Sequence, residues 1–206
     1  MPQLVIDVVS DVVCPWCYLG KRRLEAALKG EGETLIRWRP FQLDATIPPE
    51  GLDRKAYMRA KFGDGPRLAE AHARLKMLGA EAGIGFDFEA IQRSPNTLDA
   101  HRLIRFATQA GAADAVVERL FADYFERGRD IGDRAVLEEA ARDCGLGDVS
   151  ARLDGEEGAQ EVRQEIEAAQ RMGVEGVPFF IFAEKYALSG AQSVEVFEQA
   201  LAQARA

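Results

Sequence analysis

The chain has 206 residues, 47% of them hydrophobic, and a formal net charge of −8 from 26 Lys+Arg against 34 Asp+Glu. That length carries one substantial core, or one domain with a second inserted into it. The acidic balance, with basic residues scattered rather than clustered, argues against a nucleic-acid binder, and no apolar run approaches the ~18–20 residues of a membrane span.

The N-terminus does not read as a secretory leader, because it lacks a basic start and Asp7 and Asp11 interrupt its apolar stretch. A cytoplasmic location is expected. In that compartment thiols are kept reduced, and a C-x-x-C pair is more often catalytic or metal-binding than structural.

In chain order, residues 3–9 are apolar on both faces except at Asp7, which suits a central strand covered on both sides. A helix is predicted from Cys14, carrying Leu24, Ala27 and Leu28 inward and stopping at Gly30 and Gly32. Residues 34–43 alternate, with Ile36 and Trp38 on one face and Arg37 and Arg39 on the other, and predict a second strand. Pro48, Pro49 and Gly51 mark a loop. From Asp53 to Gly173 no strand is predicted and helical spacing dominates. Asp53 caps a helix with Tyr57, Met58 and Phe62, and Leu68, Leu75 and Leu78 stripe the next. Ser94-Pro95-Asn96 starts another, Val116, Val117, Leu120, Phe121 and Tyr124 stripe a fourth, and Asp133 caps a fifth that carries Val136 and Leu137. A charged helix covers 158–172. Phe179 to Phe182 then predict a strand, Glu184-Lys185 a tight turn, and Tyr186 to Leu188 a further strand. A final helix runs from near Ser193, with Val194, Phe197 and Leu201 buried.

The stretch with chemistry in it is Cys14-Pro15-Trp16-Cys17 at the first strand-to-helix junction. At a helix N-terminus, unpaired backbone N–H groups and the helix dipole favour an anion. A thiolate is such an anion, so Cys14 is the expected nucleophile. Pro15 suits the first helical position, having no N–H to leave unbonded and a φ that is already helical. Zinc would need two more ligands at short spacing. The remaining Cys144, His72 and His101 are far apart, and no metal site is expected. Cys144 reads as a packing residue on its helix, His72 and His101 as surface or interhelical residues, and Lys21, Arg22 and Arg23 as solvated charges.

The order β-α-β, helical block, β-β-α, with C-x-x-C opening the first helix and Gly176-Val177-Pro178 before the third strand, resembles the thioredoxin fold. The helical block between the halves resembles the DsbA branch. Asp11 to Gly20 (DVVCPWCYLG), Ser94 to Leu103 (SPNTLDAHRL), Gly176 to Phe180 (GVPFF) and Leu188 to Gln192 (LSGAQ) resemble the FrnE-like proteins. The fold so implied is α/β, a thioredoxin-like domain from 1–45 and 170–206 with an all-helical domain, 46–169, inserted. The implied activity is thiol–disulfide exchange. Cys14 attacks, Cys17 resolves, Pro15 and Trp16 set the redox poise, Val177 offers backbone hydrogen bonds to a client strand, and Pro178, in cis, packs by the dithiol and keeps metals out. Trp16 stands where strongly oxidising DsbA proteins have a histidine, so a less oxidising couple is expected. Thioredoxin-fold enzymes often keep a buried acid near the dithiol to move protons, and Asp7 is a candidate.

No cofactor is required on this reading, with glutathione as an optional co-substrate. The implied partners are protein or small-molecule disulfides and thiols, and glutathione or a thioredoxin-type recycling protein, with no nucleic acid and no membrane. The competing reading is a glutathione-dependent isomerase or transferase, resembling 2-hydroxychromene-2-carboxylate isomerase or the kappa-class transferases. There the helix start at Ser193, with Gln192 nearby, would hold a glutathione carboxylate. A serine usually replaces Cys14 in those proteins, and the intact C-x-x-C argues against it. A third reading is a chaperone-like binder acting through the helical block.

Overall fold

The apolar N-terminal run forms strand β1 (Leu4–Ser10), and the C-x-x-C segment opens helix α1 (Pro15–Ala27). Strand β2 (Thr34–Pro40) returns parallel to β1, with Leu4 opposite Thr34 and Ser10 opposite Pro40. The structure, a computed structural model, describes residues 3–205.

A helical stretch follows. It holds α2 (Arg54–Phe62), α3 (Arg67–Glu81), α4 (Leu98–Gln109), α5 (Ala113–Phe125), α6 (Arg134–Asp143), α7 (Ser150–Asp154) and α8 (Ala159–Arg171). Two of its predicted caps are formed. Asp53 accepts the Ala56 N–H at 2.8 Å and Asp133 accepts that of Ala135 at 2.8 Å. Two details differ from expectation. Strands β3 (Leu52–Asp53) and β4 (Arg93–Ser94) pair antiparallel over two residues each, too short for any periodicity to register, and α7 is a five-residue helix with no stripe.

Strands β5 (Phe179–Phe182) and β6 (Tyr186–Ser189) form a hairpin, and α9 (Val194–Arg205) closes the chain. The hairpin loop is Ala183-Glu184-Lys185, one residue longer than the expected Glu184-Lys185 turn; the Lys185 N–H bonds the Phe182 carbonyl at 3.0 Å, with Ala183 and Glu184 at φ of 51° and 58°. The sheet runs β2-β1-β5-β6, with β5 antiparallel to both neighbours.

Alternation along the strands gives the sheet two faces. Ile6, Val8, Phe180 and Phe182 share one, and Phe197 of α9 packs edge-on to Phe180 with ring centroids 4.8 Å apart. Gly20 brings α1 onto this same face. On the other face Val9 packs with Phe41, Ala169 of α8 and Val174. This is a thioredoxin fold with a helical insertion between its β-α-β and β-β-α halves.

The chain divides into two compact units. One comprises the described residues up to Leu43 together with those from Arg163 on, and the other is Asp44–Val162. The second crossing lies inside α8.

Candidate active site

Cys14 is the N-cap of α1, with Pro15 at the first helical position. Its own N–H is used by Asp11, whose carbonyl it reaches at 3.0 Å, and its carbonyl accepts the Cys17 N–H at 3.0 Å. The cysteine is therefore fixed by backbone bonds on both sides of the strand-to-helix turn. Both thiols are free and buried, Cys14 at 4% and Cys17 at 2% exposure.

Two environments separate the thiols. Burial pushes the Cys17 thiol well above its ordinary range, and a hydrogen bond to the Cys14 sulfur with that sulfur's charge pushes it further. The Ser10 hydroxyl and the Asp11 backbone pull the other way. Cys14 instead points its Sγ at the Val177 carbonyl oxygen, 3.6 Å away. The Val177–Pro178 peptide bond is cis. Pro178 lies against α1 opposite Gly20, and Val177 packs its side chain on the Val9, Phe41, Ala169 and Val174 cluster. The structure thus brings together Cys14, Cys17, Val177 and Pro178. Pro15 and Trp16 are half-buried in the first turn between the two thiols.

Asp7 goes elsewhere. Its carboxylate accepts from Arg37 Nε at 2.9 Å, from Arg37 Nη2 at 2.5 Å and from Arg39 Nε at 2.7 Å. Asp7 shares the sheet face of Val9, opposite the face that α1 covers. Two guanidiniums and the sheet itself separate it from proton traffic at the thiols, so the structure does not place it as their relay. The polar groups beside Cys17 are Ser10 and Asp11 at the C-terminal end of β1, which sequence reasoning missed. Asp11 is buried, and its Oδ2 accepts the Leu43 N–H at 2.8 Å. The available signal was position: both immediately precede the C-x-x-C turn.

The three consecutive cations of α1 are not simply solvated. Lys21 is 4% exposed and pairs with Glu25. Arg22 lies over the Tyr18 ring, 5.3 Å from its centroid. Arg23 donates to the carbonyls of Ala191 and Gln192 at 2.8 and 3.3 Å. Cys144 sits at the C-cap of α6, half-buried, rather than on the helix face, and burial raises its thiol. His72 stacks on Phe88 at 4.0 Å, and His101 is buried in α4. Among the described residues no group of three or more His, Cys, Asp or Glu is placed to hold a metal, and no helix is long and apolar enough to cross a membrane.

The chain resembles known proteins along nearly its whole length. A probable DsbA oxidoreductase, SCO1869 from Streptomyces coelicolor, superposes with a TM-score of 0.90 at 32% identity, over 98% of this chain and 90% of that one. The uncharacterized protein YwbO of Bacillus subtilis is 27% identical over 199 residues, 95% of this chain and 94% of its own length. The cytosolic disulfide reductase DsbM from Pseudomonas aeruginosa, in its structure with GSH, shares the fold at 20% identity and a TM-score of 0.72, over 98% of this chain and all of that one (100%). The model of the DSBA-like thioredoxin domain matches residues 5–202, and the chain belongs to that family.

Proposed function

We propose that this protein is a thiol–disulfide oxidoreductase in which Cys14 exchanges with client disulfides and Cys17 resolves the mixed disulfide. The observation that carries the reading is the asymmetry of the pair: Cys14 stands at the N-cap position of α1 with its sulfur beside the Val177 carbonyl, and Cys17 is more deeply buried, its thiol raised chiefly by that burial.

The steps follow from that asymmetry. The Cys14 thiolate attacks a client sulfur, forms a mixed disulfide and releases a client thiolate. Cys17 then gives its proton to the client thiolate already released and attacks the Cys14 sulfur, expelling the second client thiolate. Two electrons pass to the client and the pair becomes a disulfide; the reverse sequence oxidises a client. The raised Cys17 thiol orders these steps. While Cys14 is free, burial first, and then the hydrogen bond and charge of Cys14, raise the Cys17 thiol. Once Cys14 is in a mixed disulfide that charge is gone, while the Ser10 hydroxyl and Asp11 backbone remain to favour the Cys17 thiolate. Resolution is thereby favoured by the first step, against the burial that remains.

Val177 and Pro178 form the client-facing edge, with the backbone of Val177 available to an extended client segment. Within the family we assign the chain to the FrnE-like branch, on its C-P-W-C and G-V-P blocks. We place its couple with the cytosolic thiol pool, the compartment named for DsbM, and glutathione, present in the DsbM structure, is the small-molecule thiol to try first. The glutathione-dependent isomerase reading is less favoured, because both thiols of the C-x-x-C are present, whereas a serine usually stands at the Cys14 position in those proteins.

Equilibration with glutathione redox buffers tests the proposal. A single two-electron couple is expected, abolished in Cys14→Ser. With Trp16 in the motif it lies nearer the thioredoxin value (about −270 mV) than the DsbA value (about −120 mV). Absence of any couple, with a glutathione-dependent activity surviving Cys14→Ser, would overturn the proposal.

A further inference from the structure

The helix that carries the dithiol and the loop that carries Val177 are joined by a chain of hydrogen bonds running through a third segment, residues 189–192. Arg23, in the middle of α1, donates Nη1 to the carbonyls of Ala191 at 2.8 Å and Gln192 at 3.3 Å. The Gly190 N–H donates to the Pro178 carbonyl at 2.8 Å. Gly190 has φ of +81°, a conformation that side chains resist, and this turns its N–H toward Pro178. Within the segment, the Gln192 N–H bonds the Gly190 carbonyl at 3.0 Å and the Gln192 amide bonds the Ser189 carbonyl at 2.7 Å. Ser189 is paired with Phe179, the residue after Pro178, in the β5–β6 ladder. The segment is therefore stiff within itself and tied to the Val177–Pro178 loop at two points. Arg23 ties it to α1 through its side chain.

We infer that Arg23 is a positioning residue for the dithiol: by strapping α1 to the 189–192 segment it holds the Val177 carbonyl at Cys14. This inference rests on the exchange reading proposed above. A carbonyl oxygen can accept from the Cys14 S–H but has nothing to accept from a disulfide sulfur. The contact therefore stabilises the reduced form and makes the couple more oxidising. The same oxygen holds the S–H proton, which must leave before the sulfur attacks. Releasing the strap removes both effects.

The test compares wild type, Arg23→Ala and Arg23→Lys, with two readouts. In glutathione buffers, Arg23→Ala shifts the equilibrium toward the disulfide by about three- to fivefold, the value of one weak hydrogen bond. At 29.6 mV per tenfold this is about 14–21 mV more negative. Arg23→Lys, which keeps a cationic donor, restores part of the shift. The second readout needs no exchange chemistry. In a Cys17→Ala, Cys144→Ala background, iodoacetamide alkylation of Cys14 at fixed neutral pH rises about two- to fivefold on Arg23→Ala, and the Gly190 amide exchanges hydrogen faster. An unchanged alkylation rate and an unchanged Gly190 exchange rate in Arg23→Ala would overturn the strap. Loss of the couple in wild type would overturn the exchange reading, and the alkylation arm would still decide on Arg23.

Discussion

Gly20 sets how closely α1 approaches the Pro178 side of the site, and Gly20→Ala measures that approach. A Cβ placed on Gly20 meets Phe180 Cζ at 3.0 Å and Pro178 Cγ at 3.1 Å. Carbon atoms settle at about 3.5–4.0 Å, so the helix or its neighbours must open by roughly half an ångström. Phe180 is fully buried and braced against Phe197, so the ring does not yield freely. Overpacking of this kind costs about 1–3 kcal/mol, while alanine in place of glycine inside a helix returns about 1 kcal/mol. The net expectation is a loss of about 1 kcal/mol. Any retreat of α1 also stretches the contact from Cys14 to the Val177 carbonyl, which at 3.6 Å has little slack. The assay is urea denaturation followed by tryptophan fluorescence, because both tryptophans, Trp16 and Trp38, lie in the unit that contains the sheet. It is paired with the glutathione equilibrium. A variant that gains about 1 kcal/mol of stability, as propensity alone dictates, with an unaltered couple would refute the close-approach argument.

Other parts of the structure make independent predictions. Asp7→Asn should lower stability by about 1–3 kcal/mol through loss of its charged hydrogen bonds, yet leave client reduction within about twofold; a fall of about a hundredfold, the scale of a lost general base, would restore it as a proton relay. Asp123 is fully buried and accepts from Arg119 at 2.8 Å, Arg127 at 2.7 Å and Arg129 at 3.5 Å. Asp123→Ala removes these charged hydrogen bonds, while Arg119 keeps Glu139 and Asp143 and Arg129 keeps Glu139, and should cost about 1.5–3 kcal/mol, read by far-ultraviolet circular dichroism of the helical unit; a cost under about 1 kcal/mol would contradict the network. Burial, then the charges of Arg54 and Lys76, hold the His72 imidazole below its ordinary range, with Glu89 opposing. The unfolded chain therefore binds the proton first. The contribution is whole above about pH 6.5 and is lost as pH falls below it. His72→Gln should flatten that part of the stability profile, and an identical acid slope in the variant would refute it.

The fold was legible because its elements are marked by chemistry as well as hydropathy. Cys14-Pro15 fixed the start of α1, Asp53 and Asp133 fixed two more helices, and the four-residue run Phe179 to Phe182 is β5 residue for residue. The two-residue β3–β4 pairing and α7 carry no pattern long enough to read. At the site, the two thiols and the Val177–Pro178 pair stand out as motifs. The groups that tune them do not. Asp7 looks like a buried acid near the dithiol in one dimension, but strand alternation puts it on the opposite face of the sheet with Arg37 and Arg39 opposite and beside it. Ser10 and Asp11 look like the end of a strand until α1 folds Cys17 over them. Arg23 reads as a surface charge because its acceptors, the carbonyls of Ala191 and Gln192, lie 168 and 169 positions away.

The central claim is that Cys14 exchanges and Cys17 resolves. Incubating Cys17→Ala with a disulfide client such as oxidised insulin, then mapping the adduct by mass spectrometry, tests it most directly. The account predicts a stable mixed disulfide on Cys14, released by dithiothreitol, and no such adduct in Cys14→Ser. An adduct on Cys144, or a client covalently trapped by Cys14→Ser but not by Cys17→Ala, would contradict it.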